Sequence, residues 1–189
     1  HLTTRDLAFS IAPRLNAAGR LQDMSIGIEC LLADEVRAVE LAEHLDALNN
    51  ERKEIETDMR DIALAHLKQL SLDEETAAGL CFYRPDWHQG VVGIVASRIK
   101  EKSHRPVIAF AKAGDGELKG SGRSVAGFHL RDALDAIATR HPGLLLKFGG
   151  HAMAAGLSLF EADYERFREA FDQEVRRTLG EARIEQVVM

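Results

Sequence analysis

The chain of 189 residues is 46% hydrophobic and carries 24 Lys and Arg against 30 Asp and Glu, a formal net charge of −6. This composition supports a sizeable core, contains no apolar run of about 18 residues for a membrane span, and argues against a protein coated in basic charge for nucleic acid. The opening HLTTRDLAFS lacks the parts of a secretory signal, and the distant Cys30 and Cys81 form neither a CxxC pair nor a disulfide framework, so a soluble protein of the reducing cytoplasm is expected.

In chain order, Ile11 to Met24 (IAPRLNAAGRLQDM) has no clear period, and Pro13, Asn16 and Gly19 predict a loop flanking short helical turns. From Asp34, an N-cap candidate, Leu41, Leu45, Leu48, Arg52, Ile55, Met59, Ile62 and His66 follow at alternating spacings of four and three, with no Pro or Gly through Ala78. The simplest reading is one helix of about 36 residues, roughly 54 Å at 1.5 Å per residue. Its narrow stripe, interrupted by Arg52 and His66, fits either a coiled-coil dimer seam or a connector lying against its own domains; the connector is favoured because few heptads repeat.

After Gly79 the pattern alternates. Strands are expected at Leu80–Tyr83, Pro106–Ala111, Glu117–Ser124, Leu144–Phe148 and Gly156–Phe160, with an Asp-Gly hairpin turn in Ala113–Glu117. Helices are expected at Val91–Lys102, Leu130–Thr139 and Ala162–Leu179. The sum is an α/β domain of about 100 residues preceded by a long helix.

Charge is unevenly spread. Asp34 to Glu75 holds 13 acidic against 5 basic residues, whereas Arg105 to His151 holds 7 basic against 4 acidic. Screening confines charge effects to roughly 8 to 10 Å, so this local sign decides where a polyanion docks. Within the basic stretch, KGSGRS (Lys119 to Ser124) reads either as a glycine-flanked phosphate receptor, offering backbone N–H groups, Ser121, Ser124 and the Arg123 fork, or as a solvated strand end. WHQGVVG (Trp87 to Gly93) ends at a helix start, where anions are attracted and an exposed Trp87 or His88 can meet a base; an aromatic staple with a helix cap is the alternative. PRLNAAGR adds Arg14, Asn16 and Arg20. KFGGHAMAAG sets Gly149, Gly150 and Gly156 around His151, reading either as close backbone approach to a ligand or as a strand, a turn and a buried histidine. His88, His104, His129, His141 and His151 are not paired at metal-ligand spacing, and no GxSxG or nucleophilic Cys occurs, so a complete hydrolase acting alone is not expected.

PRLNAAGR, LNNERKEIE, WHQGVVGIVASR, GSGRS and FGGHAMAAG, in that order and spacing, resemble the motifs of the RecJ family of single-strand-specific 5′ to 3′ DNA exonucleases, within the DHH phosphoesterase superfamily. The match runs from about Ile11 to Phe160. The resemblance implies a remnant of a DHH domain at 1–33, a connecting helix at 34–78, a DHHA1-type domain with a mixed sheet flanked by helices at 79–180, and a tail at 181–189. It further implies that the ligands of two Mn²⁺ or Mg²⁺ ions lie upstream of His1, leaving a fragment that binds no metal and cleaves nothing by itself. Ser121 and Arg123, with Gly122 and Ser124, correspond to the pocket for a 5′ phosphate. Gly149, Gly150 and His151 correspond to a substrate-contacting loop, Arg14, Asn16 and Arg20 to the rim of the active site, and Trp87 and His88 to a further substrate-binding segment. The implied partner is single-stranded DNA with a 5′ phosphate, bound by a monomer without a membrane; a full-length enzyme would meet single-stranded-DNA-binding protein and helicase in repair and recombination. Two rivals remain: a DHH phosphoesterase acting on short oligonucleotides or cyclic dinucleotides, and a helical oligomerisation module built on the Leu41 to Ile62 seam.

Overall fold

The computed structural model describes residues 2–68 and 77–180; the sequence readings for 69–76 and 181–189 lie outside the described residues. The chain divides into two compact units, the first ending at Asp58 and the second beginning at Met59. Among the described residues no helix is long and apolar enough to cross a membrane.

The first unit is helical. Thr3 caps α1 (Thr4–Asp6): its hydroxyl accepts from the Asp6 N–H at 3.2 Å, and the Asp6 carboxylate accepts from the Thr3 N–H at 2.9 Å. A π-helical turn, Leu7–Ile11, leads into α2 (Ala12–Leu21), and α3 (Ser25–Leu32) follows. The loop expected over Ile11 to Met24 is therefore corrected to helix. Pro13 sits in the first turn of α2, directly after the π-helical turn, and the helical backbone runs on through it.

Asp34 caps α4 (Glu35–Lys68), accepting from the Arg37 N–H at 2.9 Å as its sequence position predicts. Leu45 and Leu48 of the apolar stripe join Ala17 and Ala18 of α2 in one buried cluster, so these stripe positions are occupied within the chain's own first unit. Arg52 does not interrupt the stripe as a loose charge. It donates to Glu56 at 2.8 Å and to the side-chain oxygen of the buried Asn49 at 3.3 Å.

The second unit is a five-stranded mixed sheet with helices. Its strands are β1 (Leu80–Tyr83), β2 (Val107–Gly114), β3 (Glu117–Arg123), β4 (Lys147–Gly150) and β5 (Ala154–Phe160), in the order β1-β2-β3-β5-β4. β1 is parallel to β2 and every other pair is antiparallel. The β2–β3 turn carries Asp115 at φ 49° and Gly116 at φ 74°, the left-handed pair that the Asp-Gly signal anticipates. The expected Leu144–Phe148 strand shifts: Leu144 is buried in the core ahead of the strand, and the ladder runs instead through Gly149, paired with Gly156, and Gly150, paired with Ala155.

Among the described residues the unit also holds the helices α5 (Val92–Ser103), α6 (Leu130–Arg140) and α7 (Tyr164–Leu179). Ile108, Phe110, Leu118, Leu157 and Leu159 from one sheet face form the main core with Leu130, Leu134 and Ile137 of α6 and Phe167 and Phe171 of α7. The two α7 rings stack at 6.0 Å. On the opposite face α5 packs on β2 and β3, while Lys147, Gly149 and Gly156 on β4 and β5 remain exposed.

A Cβ on Gly120 would lie 2.5 Å from the Phe110 ring and 2.7 Å from Leu157, whereas one on Gly149 would meet nothing within 4 Å. Gly120→Ala is expected to cost about 1–3 kcal/mol through overpacking, and Gly149→Ala about 0.5 kcal/mol or less. Urea denaturation followed by the single tryptophan, Trp87, measures both; equal stabilities would contradict this core packing.

Candidate functional site

The site is built on the two-residue period of β3. Leu118, Gly120 and Gly122 face the main core, so Lys119, Ser121 and Arg123 face the opposite side, toward α5 and the open part of the sheet. Both glycines have packing reasons: a Cβ on Gly122 would sit 2.6 Å from Leu130, much as Gly120 is confined by Phe110. The reading of KGSGRS as a turn with free backbone donors is corrected, because Glu117 to Arg123 is paired to β2 on one side and to β5 on the other. What the motif offers a ligand is its side chains.

Arg123 Nε donates to the Ser97 hydroxyl at 3.1 Å, and its Nη1 donates to the Ser121 hydroxyl at 3.1 Å and the Gly122 carbonyl at 2.8 Å. Ser97 in turn donates to the Gly93 carbonyl at 3.1 Å. Gly93 is there because a side chain would collide: its Cβ would lie 2.9 Å from both Arg123 Nη2 and Ser121 Oγ. The guanidinium is thus half-buried, held in one orientation, and seated beside the first turn of α5, a helix start without a side-chain cap. Helix N-terminal N–H groups beside a guanidinium held in place are an arrangement suited to an anion such as phosphate.

Sequence reasoning did not single out Gly93 or Ser97 as site residues. Their spacing of four within VVGIVASR puts them on one face of a helix, but only the sheet reveals that this face meets Arg123.

Trp87 is 5% exposed, which removes it as a stacking platform and supports the packing alternative. Its indole Nε1 has no hydrogen-bond partner among the described residues. His88 is half-buried and orders the turn into α5: its Nδ1 accepts from the Gly90 N–H at 3.1 Å and its carbonyl from the Val91 N–H at 3.0 Å. Ser124 is 1% exposed and donates to the Phe128 carbonyl at 2.6 Å, so its assignment to the substrate pocket is corrected to an internal bond.

The glycine–histidine motif is brought to the same end of the sheet. Arg123 is paired with Ala154, the Ser124 N–H donates to the Met153 carbonyl at 3.0 Å, and the Leu130 N–H donates to the Ala152 carbonyl at 2.9 Å. The turn between β4 and β5 is closed by the His151 N–H on the Ala154 carbonyl at 2.8 Å, which leaves the His151 side chain exposed rather than buried. Gly150 has φ 140°, and a Cβ there would lie 2.5 Å from the Ala154 carbonyl, so the backbone itself demands glycine. Gly149 has no such need. Open space lies above it.

The third cluster lies in the first unit. Arg14 Nε donates to Asp46 at 2.7 Å, which joins α2 to α4, and its Nη1 donates to the Ser10 carbonyl at 2.6 Å. Asn16 and Arg20 are exposed, four residues apart on α2. Among the described residues no three His, Cys, Asp or Glu side chains converge as a metal site. One carboxylate beside the sheet, that of Glu161 just after β5, is engaged. Glu161 takes Lys112 at 3.2 Å and the Tyr83 hydroxyl at 2.5 Å, and these bonds, the tyrosine's foremost, hold its carboxyl below the usual range.

Residues 76–177 match the family model of the DHHA1 domain. Over 189 residues the chain is 59% identical to the single-stranded-DNA-specific exonuclease RecJ of Dickeya dadantii (strain 3937), covering 99% of this chain and 33% of the relative. Among solved structures, exonuclease RecJ bound to manganese is 35% identical with a TM-score of 0.79, over 96% of this chain and 43% of that one. RecJ from Thermus thermophilus in complex with Mg²⁺ is 36% identical with a TM-score of 0.74, over 91% of this chain and 26% of that one. The chain thus spans about a third of the length of the curated relative.

Ser124→Ala leaves the buried Phe128 carbonyl without its donor and is expected to cost about 1–3 kcal/mol of stability. A thermal or urea unfolding curve identical to that of the unmodified chain would show that this hydroxyl does not hold the β3–α6 connection.

Proposed function

Because this chain belongs to the DHHA1 domain family, we propose that its second unit binds single-stranded DNA and that Ser121 and Arg123 receive the strand's 5′ phosphate. The observation that carries this reading is the Arg123 guanidinium, fixed by the Ser97 and Ser121 hydroxyls and the Gly122 carbonyl beside the start of α5. Arg123 supplies a positive charge held in place, and Ser121 supplies a hydroxyl whose proton has no acceptor among the described residues. The open backbone at Gly149 allows close approach of a nucleotide, and the exposed His151 supplies a ring that donates or accepts hydrogen bonds at the same sheet end. His88 contributes by ordering the α5 start. Arg14, Asn16 and Arg20 form a separate group of phosphate-capable side chains within the first unit.

A longer protein carrying this segment would be a metal-dependent 5′ to 3′ exonuclease. Its hydrolytic step would rest on water activated by Mn²⁺ or Mg²⁺ held outside the described residues, the ions named in the similar structures. The residues of this chain bind and orient the strand, which sets polarity through its phosphorylated end. The chain by itself is expected to act as a monomer that binds DNA without cleaving it.

Fluorescence anisotropy with matched single strands ending in 5′ phosphate or 5′ hydroxyl tests this. The unmodified chain should prefer the phosphate, and Arg123→Ala should erase that preference with a loss of about ten- to a hundredfold for the phosphorylated strand. Arg123→Lys should restore it only partly, since an ammonium lacks the fork. Equal affinity of the unmodified chain for both ends would overturn the assignment.

A further inference from the structure

We infer a second backbone-phosphate subsite on the same sheet face, formed by Lys119 and Lys147 on either side of Ser158, which guides the strand away from Arg123. The inference rests on the proposed binding of a 5′ phosphate at Arg123 and extends it along the chain of nucleotides. β-Sheet register places the residues. Lys119 of β3 and Lys147 of β4 are both paired with Ser158 of β5, so the three side chains form one row across the sheet. The next row holds Ser121, Gly156 and Gly149, and the one beyond it Arg123 and Ala154. Paired residues share a face, and alternate residues of a strand do too, so all three rows look out on the side opposite the main core.

The spacing suits a linear polyanion. Lys119 lies four residues from Arg123 along β3, about 13 Å at 3.3 Å per residue, and Lys147 lies two strands away from Lys119, about 9.5 Å. Beside Ser121, in the row between the lysines and the arginine, the floor is bare on β4 and β5. Gly149 has nothing within 4 Å of a built Cβ, and Gly156 has only the Gly120 carbonyl at 3.8 Å. Lys119, Lys147, Gly156 and Ser158 line a shallow depression there. A backbone can therefore lie on the sheet without displacing a side chain.

Charge selects the occupant. Lys112 on the neighbouring strand is matched by Glu161, whereas no carboxylate among the described residues pairs with Lys119 or Lys147. Two like charges flanking one serine gain nothing from each other. An anion between them satisfies both, and the Ser158 hydroxyl adds a donor. The alternative role for Lys147, keeping the edge strand β4 from pairing with another chain, requires no partner at Lys119 and no dependence on strand length.

The test uses the full chain, Lys119→Gln/Lys147→Gln, and Arg123→Ala, with 5′-phosphorylated thymidine dinucleotide and decanucleotide over a salt series. The lysine variant should lose affinity for the decanucleotide and not for the dinucleotide, and its slope of log K against log salt should fall by about 1.4, or 0.7 for each lost phosphate contact. Its preference for 5′ phosphate over 5′ hydroxyl should remain. Arg123→Ala should show the converse, losing the end preference and keeping the gain in affinity with length. An unchanged salt slope and length dependence in the lysine variant, with the arginine effect intact, overturns the second subsite alone. No 5′-phosphate preference in the unmodified chain overturns the reading at Arg123 instead. Melting curves read from Trp87 emission confirm that each variant is folded.

Discussion

The strict alternation of β3 is the constraint from which the second unit is built. One set of its residues, Leu118, Gly120 and Gly122, closes the main core, and the other, Lys119, Ser121 and Arg123, furnishes the candidate site. Phe110 and Leu130 approach the strand so closely that the core-facing positions after Leu118 have no room for a side chain. A one-residue slip would bury Arg123 under α6 and expose Leu118, so the same packing that seats the core also aims the arginine. Gly93 repeats the arrangement on the other side, where its missing side chain lets α5 settle against Arg123 and Ser121.

The Ser97 and Ser121 hydroxyls and the Gly122 carbonyl hold the Arg123 guanidinium in one orientation. Arg14 is held instead by the Asp46 carboxylate, in a pair that joins two helices. A long side chain already ordered in the free protein has less conformational entropy to lose when an anion arrives. Binding at Arg123 is therefore a matter of geometry prepared by β3 and α5 together.

Much of this was legible in the sequence, and the misreadings share a cause. The cap at Asp34, the long helix, the Asp-Gly hairpin and the alternation of strands and helices follow from local rules, and each is present. Pro13 suggests a break, yet helical backbone runs through it behind a π-helical turn, an accommodation that the flanking pattern does not reveal. Leu144 looked like part of a strand because an apolar run states that burial is needed without stating by which backbone. Trp87 and Ser124 carry groups suited to ligands, and both are turned inward by contacts distant in sequence or set by a turn. Glycine is the most ambiguous of all. Gly120 and Gly122 serve neighbouring side chains, Gly150 serves its own φ, and Gly149 serves neither, which leaves it alone among these four as a place where something from outside can approach.

The acidic net charge and the proposed polyanion are compatible for the same reason that the site is local. Acidic residues are concentrated between Asp34 and Glu75, whereas the open sheet face carries Lys119 and Lys147 in one row and Arg123 four residues further along β3. At physiological salt a charge is felt over roughly 8 to 10 Å, a distance shorter than the run from Arg123 to Lys119. A bound phosphate therefore responds to the nearest row and not to the sum over the chain. Lys112, paired with Leu118 on the other side of the sheet, is matched by Glu161, whereas Lys119 and Lys147 on the open face form no ion pair among the described residues.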